Sequence, residues 1–246
     1  MMSSYQAVIE RPRSASLVHV LQMLTKIAFV TFVVRPVLWL FLGLEVRRAK
    51  SLPVKGPAIL IANHNSHFDA LAILSILDLP LLARAHPVGA EDYFFATKFM
   101  AAFSRWCLGI VPLARTSSRD GVIDRDPFRR IVGALDRGSI VIFFPEGSRG
   151  GAGGVGSFKR GIGALAKRCP GVPVVPLYLA GFSKVLPKGS SFTLPMLCSI
   201  SVGDAVVESH PALHETLRRR VVALGGAAEL QAGATSMQLV AARRDQ

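Results

Sequence analysis

Short apolar runs alternate along this chain with longer stretches in which apolar residues recur at helical spacing. The short runs predict strands at 58–62, 81–85, 109–115, 139–144, 173–179 and 192–202. The periodic stretches predict helices at 70–77, 94–107, 126–138 and 161–168, with one more beyond Pro211. Strands and helices in this order predict an α/β fold, a single domain whose mixed, mostly parallel sheet is flanked by helices.

The segment from Leu17 to Leu44 is strongly apolar, but Lys26 and then Arg35-Pro36 interrupt it. Neither of the runs Ile27–Val34 and Val37–Leu44 reaches the roughly 20 apolar residues that span a bilayer. We therefore expect two short helices on the leaflet surface, with the basic side chains reaching up to lipid headgroups. One kinked transmembrane helix is the alternative. A cleaved signal peptide is disfavoured because no small-residue cleavage site directly follows the apolar stretch.

These patterns divide the chain of 246 residues into four parts, which leave room for one large domain. Residues 1–16 are expected to be a disordered polar tail, and 17–44 a membrane-associating helical segment. Residues 45–205 would form the α/β domain, and 206–246 a C-terminal helix and tail.

The net charge of +13 indicates an anionic partner, either nucleic acid or anionic lipid. Half of the residues are hydrophobic, and no basic recognition helix or aromatic-studded basic strand is present. An anionic membrane surface is therefore the expected partner and nucleic acid is not, since each Lys or Arg near such a surface contributes roughly 1 kcal/mol. The three cysteines lack metal-binding or disulfide spacing, which is typical of a reducing cytosol.

A polar turn, Asn63 to Asp69, follows the first strand and precedes the first helix of the domain. His64 is the candidate catalyst, because imidazole titrates at about pH 6.5 and can accept a proton at physiological pH. Asp69 would fix its tautomer. Ser66 and Asp69 also match a helix capping box, so Asp69 could serve only to close the first helical turn. Both interpretations can hold together.

Three further turns carry charge directly after predicted strands: Arg115, the turn from Glu146 to Arg149, and Lys159-Arg160. If all lie at the carboxyl ends of parallel strands, they converge beside His64. Such a pocket suits phosphate, because arginine can bind it through two parallel hydrogen bonds.

Other catalytic motifs fit poorly. Residues 151–156 match the G-x-G-x-x-G pattern, but they do not follow a strand directly, and no acid lies about 20 residues on. A mobile glycine loop is the better interpretation. The chain contains no G-x-S-x-G nucleophile elbow and no H-E-x-x-H zinc motif, which disfavours a serine hydrolase or a metalloenzyme.

Four blocks in this order resemble the motifs of the glycerolipid acyltransferases, of which the 1-acylglycerol-3-phosphate acyltransferases are the best known. They are Asn63 with His64-x4-Asp69, Gly109 to Arg115, Phe144 to Arg149, and Val174 to Pro176. The resemblance covers roughly residues 45–205. It implies that His64 is the general base, that Asp69 orients it, and that the strand at Val174–Pro176 helps to shape the acyl-donor or acyl-chain site.

The resemblance also implies residues that hold the acceptor, with the arginines on its phosphate. These are Arg115, Glu146, Gly147, Ser148 and Arg149. The pocket argument adds Lys159. Backbone N–H groups at the start of the helix after His64 could stabilise the oxyanion of acyl transfer.

We therefore expect an O-acyltransferase that moves a fatty acyl group from acyl-CoA or acyl-carrier protein to the hydroxyl of a lysophospholipid. The first acceptor is 1-acylglycerol-3-phosphate, giving phosphatidate. No cofactor or metal is expected, and the expected location is the cytoplasmic face of the inner (plasma) membrane. The alternatives are another lysolipid acceptor, such as lyso-ornithine lipid, or a catalytically silent protein that binds anionic lipid.

Overall fold

A computed structural model of the chain describes residues 17–114, 126–150, 154–182 and 198–227. Seven strands are present in these ranges: β1 Glu45–Arg47, β2 Ala58–Ala62, β3 Ala85–Ala90, β4 Val111–Leu113, β5 Ile140–Phe143, β6 Val174–Ala180 and β7 Ser199–Val202. The first helices are α1 Leu17–Phe29, α2 Arg35–Leu42, α3 Phe68–Ile76 and α4 Leu79–Arg84. They are followed by α5 Glu91–Phe94, α6 Lys98–Phe103, α7 Arg129–Asp136, α8 Gly161–Arg168 and α9 at 213–227.

The strands form one sheet in the order β1-β7-β6-β2-β5-β3-β4. Neighbours from β6 to β4 are parallel, whereas β7 is antiparallel to β6 and parallel to β1. The prediction of a mixed, mostly parallel sheet is therefore confirmed. The carboxyl ends of β2 and β5 lie side by side, since Ile61 pairs with Phe143. Any turn that follows these two strands is brought to the same place.

Helices cover both faces of the sheet and create two cores. Residues Ala58, Leu60 and Ala62 of β2 face α3, α4 and the N-terminal helix. Ile59 and Ile61 face α7, α8 and α9. All five residues of β2 are buried, as expected for a central strand of a sheet that is covered on both sides.

The predicted strand at 81–85 was wrong, because this run belongs to α4 and β3 begins only at Ala85. Asp78 caps α4 by accepting a hydrogen bond from the Leu81 N–H at 3.1 Å, and Pro80 lies in the first turn. An aspartate followed by a proline inside the first turn is a helix-start signal. It decides the structure here over the short apolar run that follows.

The N-terminal segment also differs from the prediction of two separate short helices. It is helical without a break from α1 through a π-helical segment, Val30–Val34, into α2. The wider π turn accommodates Pro36, whose ring would clash with a carbonyl of a regular α-helix. The stretch Leu17–Leu40 is long and apolar enough to cross a membrane by length and composition.

The two basic residues of this segment were predicted to reach lipid headgroups, and this was wrong. Lys26 is buried, and its Nζ donates to the carbonyls of Ala83 and Ala85 at 3.1 and 2.8 Å. The Arg35 guanidinium donates to the carbonyl of Ser75 at 2.9 Å and to that of Leu77. Both cations therefore fasten the N-terminal helix to the ends of α4 and α3.

Much of the remaining surface of this helix is apolar and open to solvent. Phe32 and Trp39 are each 78% exposed, and Leu40 is 73% exposed. Valines 33 and 37 extend this surface between them. Several exposed large apolar side chains on one helix are typical of a protein or membrane contact.

Candidate active site

His64 and Asp69 meet in the turn between β2 and α3. The Nδ1 atom of His64 lies 3.0 Å from Asp69 Oδ2. The Asp69 side chain is fully buried, whereas the His64 side chain is 23% exposed. The imidazole therefore lies between a buried carboxylate and the solvent.

Asp69 Oδ2 also accepts hydrogen bonds from the backbone N–H groups of Asn65 and Ser66, at 2.6 and 2.8 Å. A carboxylate can only accept hydrogen bonds, and Oδ2 accepts both of these. The proton of the neutral imidazole must then be on Nδ1, and Nε2 carries the lone pair that can accept a proton. The contact with Ser66 is also half of the predicted capping box, so the capping and orienting interpretations hold together.

Two groups from the end of β5 complete the surroundings of His64. The Phe144 ring stacks on the imidazole with centroids 4.3 Å apart. The Glu146 carboxylate accepts a hydrogen bond from the His64 backbone N–H at 3.2 Å and is only 5% exposed. Burial raises the pKa of Glu146, while N–H donors from His64 and Gly156 act in the opposite direction.

Asn63 fixes the strand end that carries His64. Its side chain donates to the Leu179 carbonyl at 3.0 Å and accepts from the Leu179 N–H at 2.8 Å. One buried amide thus satisfies both backbone groups of one residue of β6. A hydrogen-bond pair of this kind holds the ends of β2 and β6 in a single register.

Two exposed basic side chains, Arg149 and Lys159, form a cationic rim beside the site. The Arg149 Nη1 donates to His67 Nε2 at 2.6 Å, and the His67 ring stacks near Tyr93 with centroids 6.0 Å apart. Burial and the neighbouring Arg149 lower the pKa of His67, which suits a neutral ring that accepts this hydrogen bond. The Lys159 side chain passes over Gly147, where an added Cβ would lie 2.7 Å from Nζ. Gly147 also has a positive φ of 72°, so a larger residue would be strained there.

The structure brings together most of the residues predicted from sequence. His64, Asp69, Glu146, Gly147, Arg149 and Lys159 all lie around one turn, and Ser148 is exposed beside them. Arg115 lies outside the described residues. The contacts of Asn63, His67 and Phe144 were not anticipated, although the position of Phe144 directly after β5 was a usable signal.

Most of the backbone N–H groups that were expected to stabilise an oxyanion already donate hydrogen bonds within the turn. The N–H groups of Asn65 and Ser66 bond to Asp69, and that of Phe68 bonds to Ser66 Oγ at 3.2 Å. The Asp69 N–H bonds to the Ser66 carbonyl. These four groups serve the turn itself, so an oxyanion would need other donors. Within the described ranges, no group of three or more His, Cys, Asp or Glu side chains could hold a metal ion.

Residues 43–180 match the family described as Acyltransferase. A chloroplastic 1-acyl-sn-glycerol-3-phosphate acyltransferase from Arabidopsis thaliana is 32% identical over 181 residues, which are 71% of this chain and 44% of the relative. The corresponding enzyme "alpha" of Mus musculus is 26% identical over 187 residues, 73% of this chain and 62% of the relative. This chain thus spans less than two thirds of the length of either relative.

The fold is shared with a solved structure, the 1-acyl-sn-glycerophosphate acyltransferase PlsC from Thermotoga maritima. The TM-score is 0.63 at 24% sequence identity, and the superposition covers 85% of this chain and 80% of that one.

Proposed function

The chain belongs to the acyltransferase family, and from that premise we propose that it transfers a fatty acyl group from a thioester to the hydroxyl of a lysophospholipid. The first acceptor we propose is 1-acylglycerol-3-phosphate, with acyl-CoA or acyl-carrier protein as the donor. The observation that carries the proposal is the 3.0 Å contact between His64 Nδ1 and the buried carboxylate of Asp69, which places the lone pair of a partly exposed imidazole on Nε2.

In the proposed reaction, Nε2 of His64 accepts the proton of the acceptor hydroxyl while the hydroxyl oxygen attacks the thioester carbonyl. A general base in this position contributes roughly 10²–10⁴-fold to the rate. The tetrahedral intermediate collapses by breaking the carbon–sulfur bond, and the thiolate takes the proton back from His64. The products are an ester and a free thiol. Asp69 stabilises the imidazolium that exists between the two proton transfers.

The residues of the turn from Glu146 to Arg149 have different roles in this proposal. Arg149 and Lys159 are exposed at the rim and would bind the acceptor phosphate, together with Arg115. Gly147 and Ser148 would shape the same edge. Glu146 is buried and points at the His64 backbone, which favours a role in holding the base over direct contact with the acceptor.

The substrates and the surface of the protein support an anionic membrane as its partner. A lysolipid acceptor and its product both reside in a bilayer. The exposed apolar residues of the N-terminal helix and the net charge of +13 suit the interface of an anionic leaflet. We propose the cytoplasmic face of the inner membrane as the location.

The deciding experiment measures thiol release from palmitoyl-CoA by the purified protein with and without lysophosphatidate. His64→Ala should abolish acceptor-dependent release, and His210→Ala, at an exposed histidine, should leave it unchanged. Unaltered turnover in His64→Ala would remove this residue from the mechanism. Silence of the wild type with every thioester and lysolipid, alongside firm vesicle binding, would favour a lipid-binding protein.

The acceptor assignment has its own test. Arg149→Ala should raise the KM for lysophosphatidate by roughly tenfold or more, because a charged hydrogen bond contributes about 1.5–3 kcal/mol. The KM for an acceptor without a phosphate, such as a monoacylglycerol, should change little. An equal rise for both acceptors would show that Arg149 does not recognise phosphate.

A further inference from the structure

We propose that Arg218 of α9 is a positioning residue of the active site, because its guanidinium holds the residues that close over Glu146. The inference rests on the proposed function for its catalytic consequence. Arg218 lies beyond residues 43–180, the part of the chain that matches the family.

The contacts of Arg218 cross from the C-terminal helix to the loop after β5. Its Nε donates to the Gly156 carbonyl at 2.9 Å, and its Nη2 donates to the Val155 carbonyl at 3.2 Å. These residues are more than 60 positions apart in the chain. Arg218 is half-buried, whereas the adjacent Arg219 and Arg220 are exposed.

Gly156 is held from two sides. Its carbonyl accepts from Arg218, while its N–H donates to the Glu146 carboxylate. The two residues are so close that a Cβ on Gly156 would lie 2.8 Å from Glu146 Oε2. Glu146 in turn accepts from the His64 backbone N–H. A continuous series of contacts therefore runs from α9 to the candidate base.

The sequence that leads to Gly156 is rich in glycine. Five of the seven residues from 150 to 156 are glycine, and glycine has the largest backbone freedom of any residue. At the other end of the loop, the Gly150 N–H donates to the His64 carbonyl at 2.9 Å. Arg218 supplies the matching restraint at 155–156.

The tether has a consequence for the charge of Glu146. His64 and Asp69 face this carboxylate from the β2–α3 turn, and Lys159 lies over the adjoining Gly147. The Gly156 N–H favours the ionised carboxylate against the effect of burial. Releasing Gly156 should raise the pKa of Glu146. A larger fraction of Glu146 would then be protonated at mildly acidic pH. Because the His64 backbone N–H would lose its charged acceptor there, the acidic limb of the rate profile would move to higher pH.

The test compares Arg218→Gln with Arg219→Gln as the matched control on the same helix. We expect Arg218→Gln to lower kcat/KM by roughly 10- to 100-fold, the range for small misplacement of a catalytic group. The acidic limb of its pH profile should move upward. Arg218→Lys, which keeps one charged donor, should recover part of the loss, and Arg219→Gln should match the wild type.

Amide hydrogen exchange at 154–157 provides a readout that does not depend on activity. Exchange should accelerate in Arg218→Gln and not in Arg219→Gln. If Arg218→Gln does not fold, Arg218→Lys carries the same comparison, because it cannot make both hydrogen bonds of the guanidinium and should show a smaller acceleration of exchange and a smaller loss of activity.

The proposal is overturned if Arg218→Gln keeps the exchange rate of the wild type. It is also overturned if activity falls only in proportion to lost folded protein, with an unmoved pH profile. A wild type without any acyl transfer would instead refute the proposed function, and the exchange comparison would still decide whether Arg218 holds the loop.

Discussion

Helix α3 meets a charged side chain at each of its ends, the buried Asp69 and the half-buried Arg35. At the N-terminus, the Asp69 carboxylate accepts from the backbone N–H groups of Asn65 and Ser66. At the C-terminus, the Arg35 guanidinium donates to the carbonyls of Ser75 and Leu77. Both placements match the helix dipole and the unpaired backbone groups of helix termini.

The two ends differ in what stands between the charge and the solvent. At the Asp69 end an imidazole intervenes, and Asp69 Oδ1 has no hydrogen-bond partner within the described part of the chain. At the other end, Arg35 is half-buried and belongs to the N-terminal helix itself. A charge at a helix end is therefore a structural device in both places. The exposed imidazole is what makes one of them suitable for chemistry.

Asp69→Asn should have the largest effect, because an amide cannot serve as the anionic partner of an imidazolium. We expect kcat to fall roughly 10²–10⁴-fold, the usual range for general-base catalysis. Single-turnover thiol release measures it, with circular dichroism to verify the fold. Asp78→Asn is the matched control, since asparagine is as good an N-cap for α4. A loss within threefold for Asp69→Asn would contradict the orienting role.

Arg35→Met should break the other end and affect stability alone. Leaving two carbonyls without their charged donor should lower the free energy of unfolding by about 3 kcal/mol. Urea unfolding measures this change, and kcat per folded molecule should not move. Arg48→Met is the control, because the Arg48 pair with Asp204 is exposed and an exposed ion pair contributes little to stability. A fall in kcat at unchanged stability would erase the contrast between the two ends.

Acid should destabilise the protein through His86, which lies near Lys26. Burial, together with the charges of Lys26 and Arg137, lowers the pKa of His86 to about 4. The unfolded histidine binds a proton at about pH 6.5. The free energy of unfolding is therefore unaffected by His86 above that pH and falls as the pH decreases toward 4. The expected loss is roughly 2–3 kcal/mol.

His86→Asn isolates this effect, because it keeps a neutral N–H for the Gly109 carbonyl, which His86 Nδ1 contacts at 2.8 Å. The variant should remove that part of the pH dependence in urea unfolding between pH 4 and about 6.5. Identical pH dependence in both proteins would show that His86 does not titrate on unfolding.

Sequence reasoning located the Asp69 end of α3 well and the Arg35 end poorly. Turns after parallel strands must meet at one edge, so the convergence of His64 and Glu146 follows from strand order alone. The partners of Lys26 and Arg35 depend on how the N-terminal helix crosses α3 and α4, and no local pattern encodes that. Arg218 was hidden for the same reason, because three consecutive arginines on a helix give no sign of which one faces inward.

The exposure of Trp39 gives this protein a spectroscopic reporter of its own. The chain has two tryptophans, and Trp106 is half-buried in the π-helical turn Ser104–Leu108. Indole emission moves to shorter wavelength when water is replaced by lipid. Vesicles that cover α2 should therefore shift the emission of the wild type, while Trp39→Phe would leave the Trp106 signal as an internal reference. Fluorescence can thus reveal, without any label, which surface of the molecule meets the bilayer.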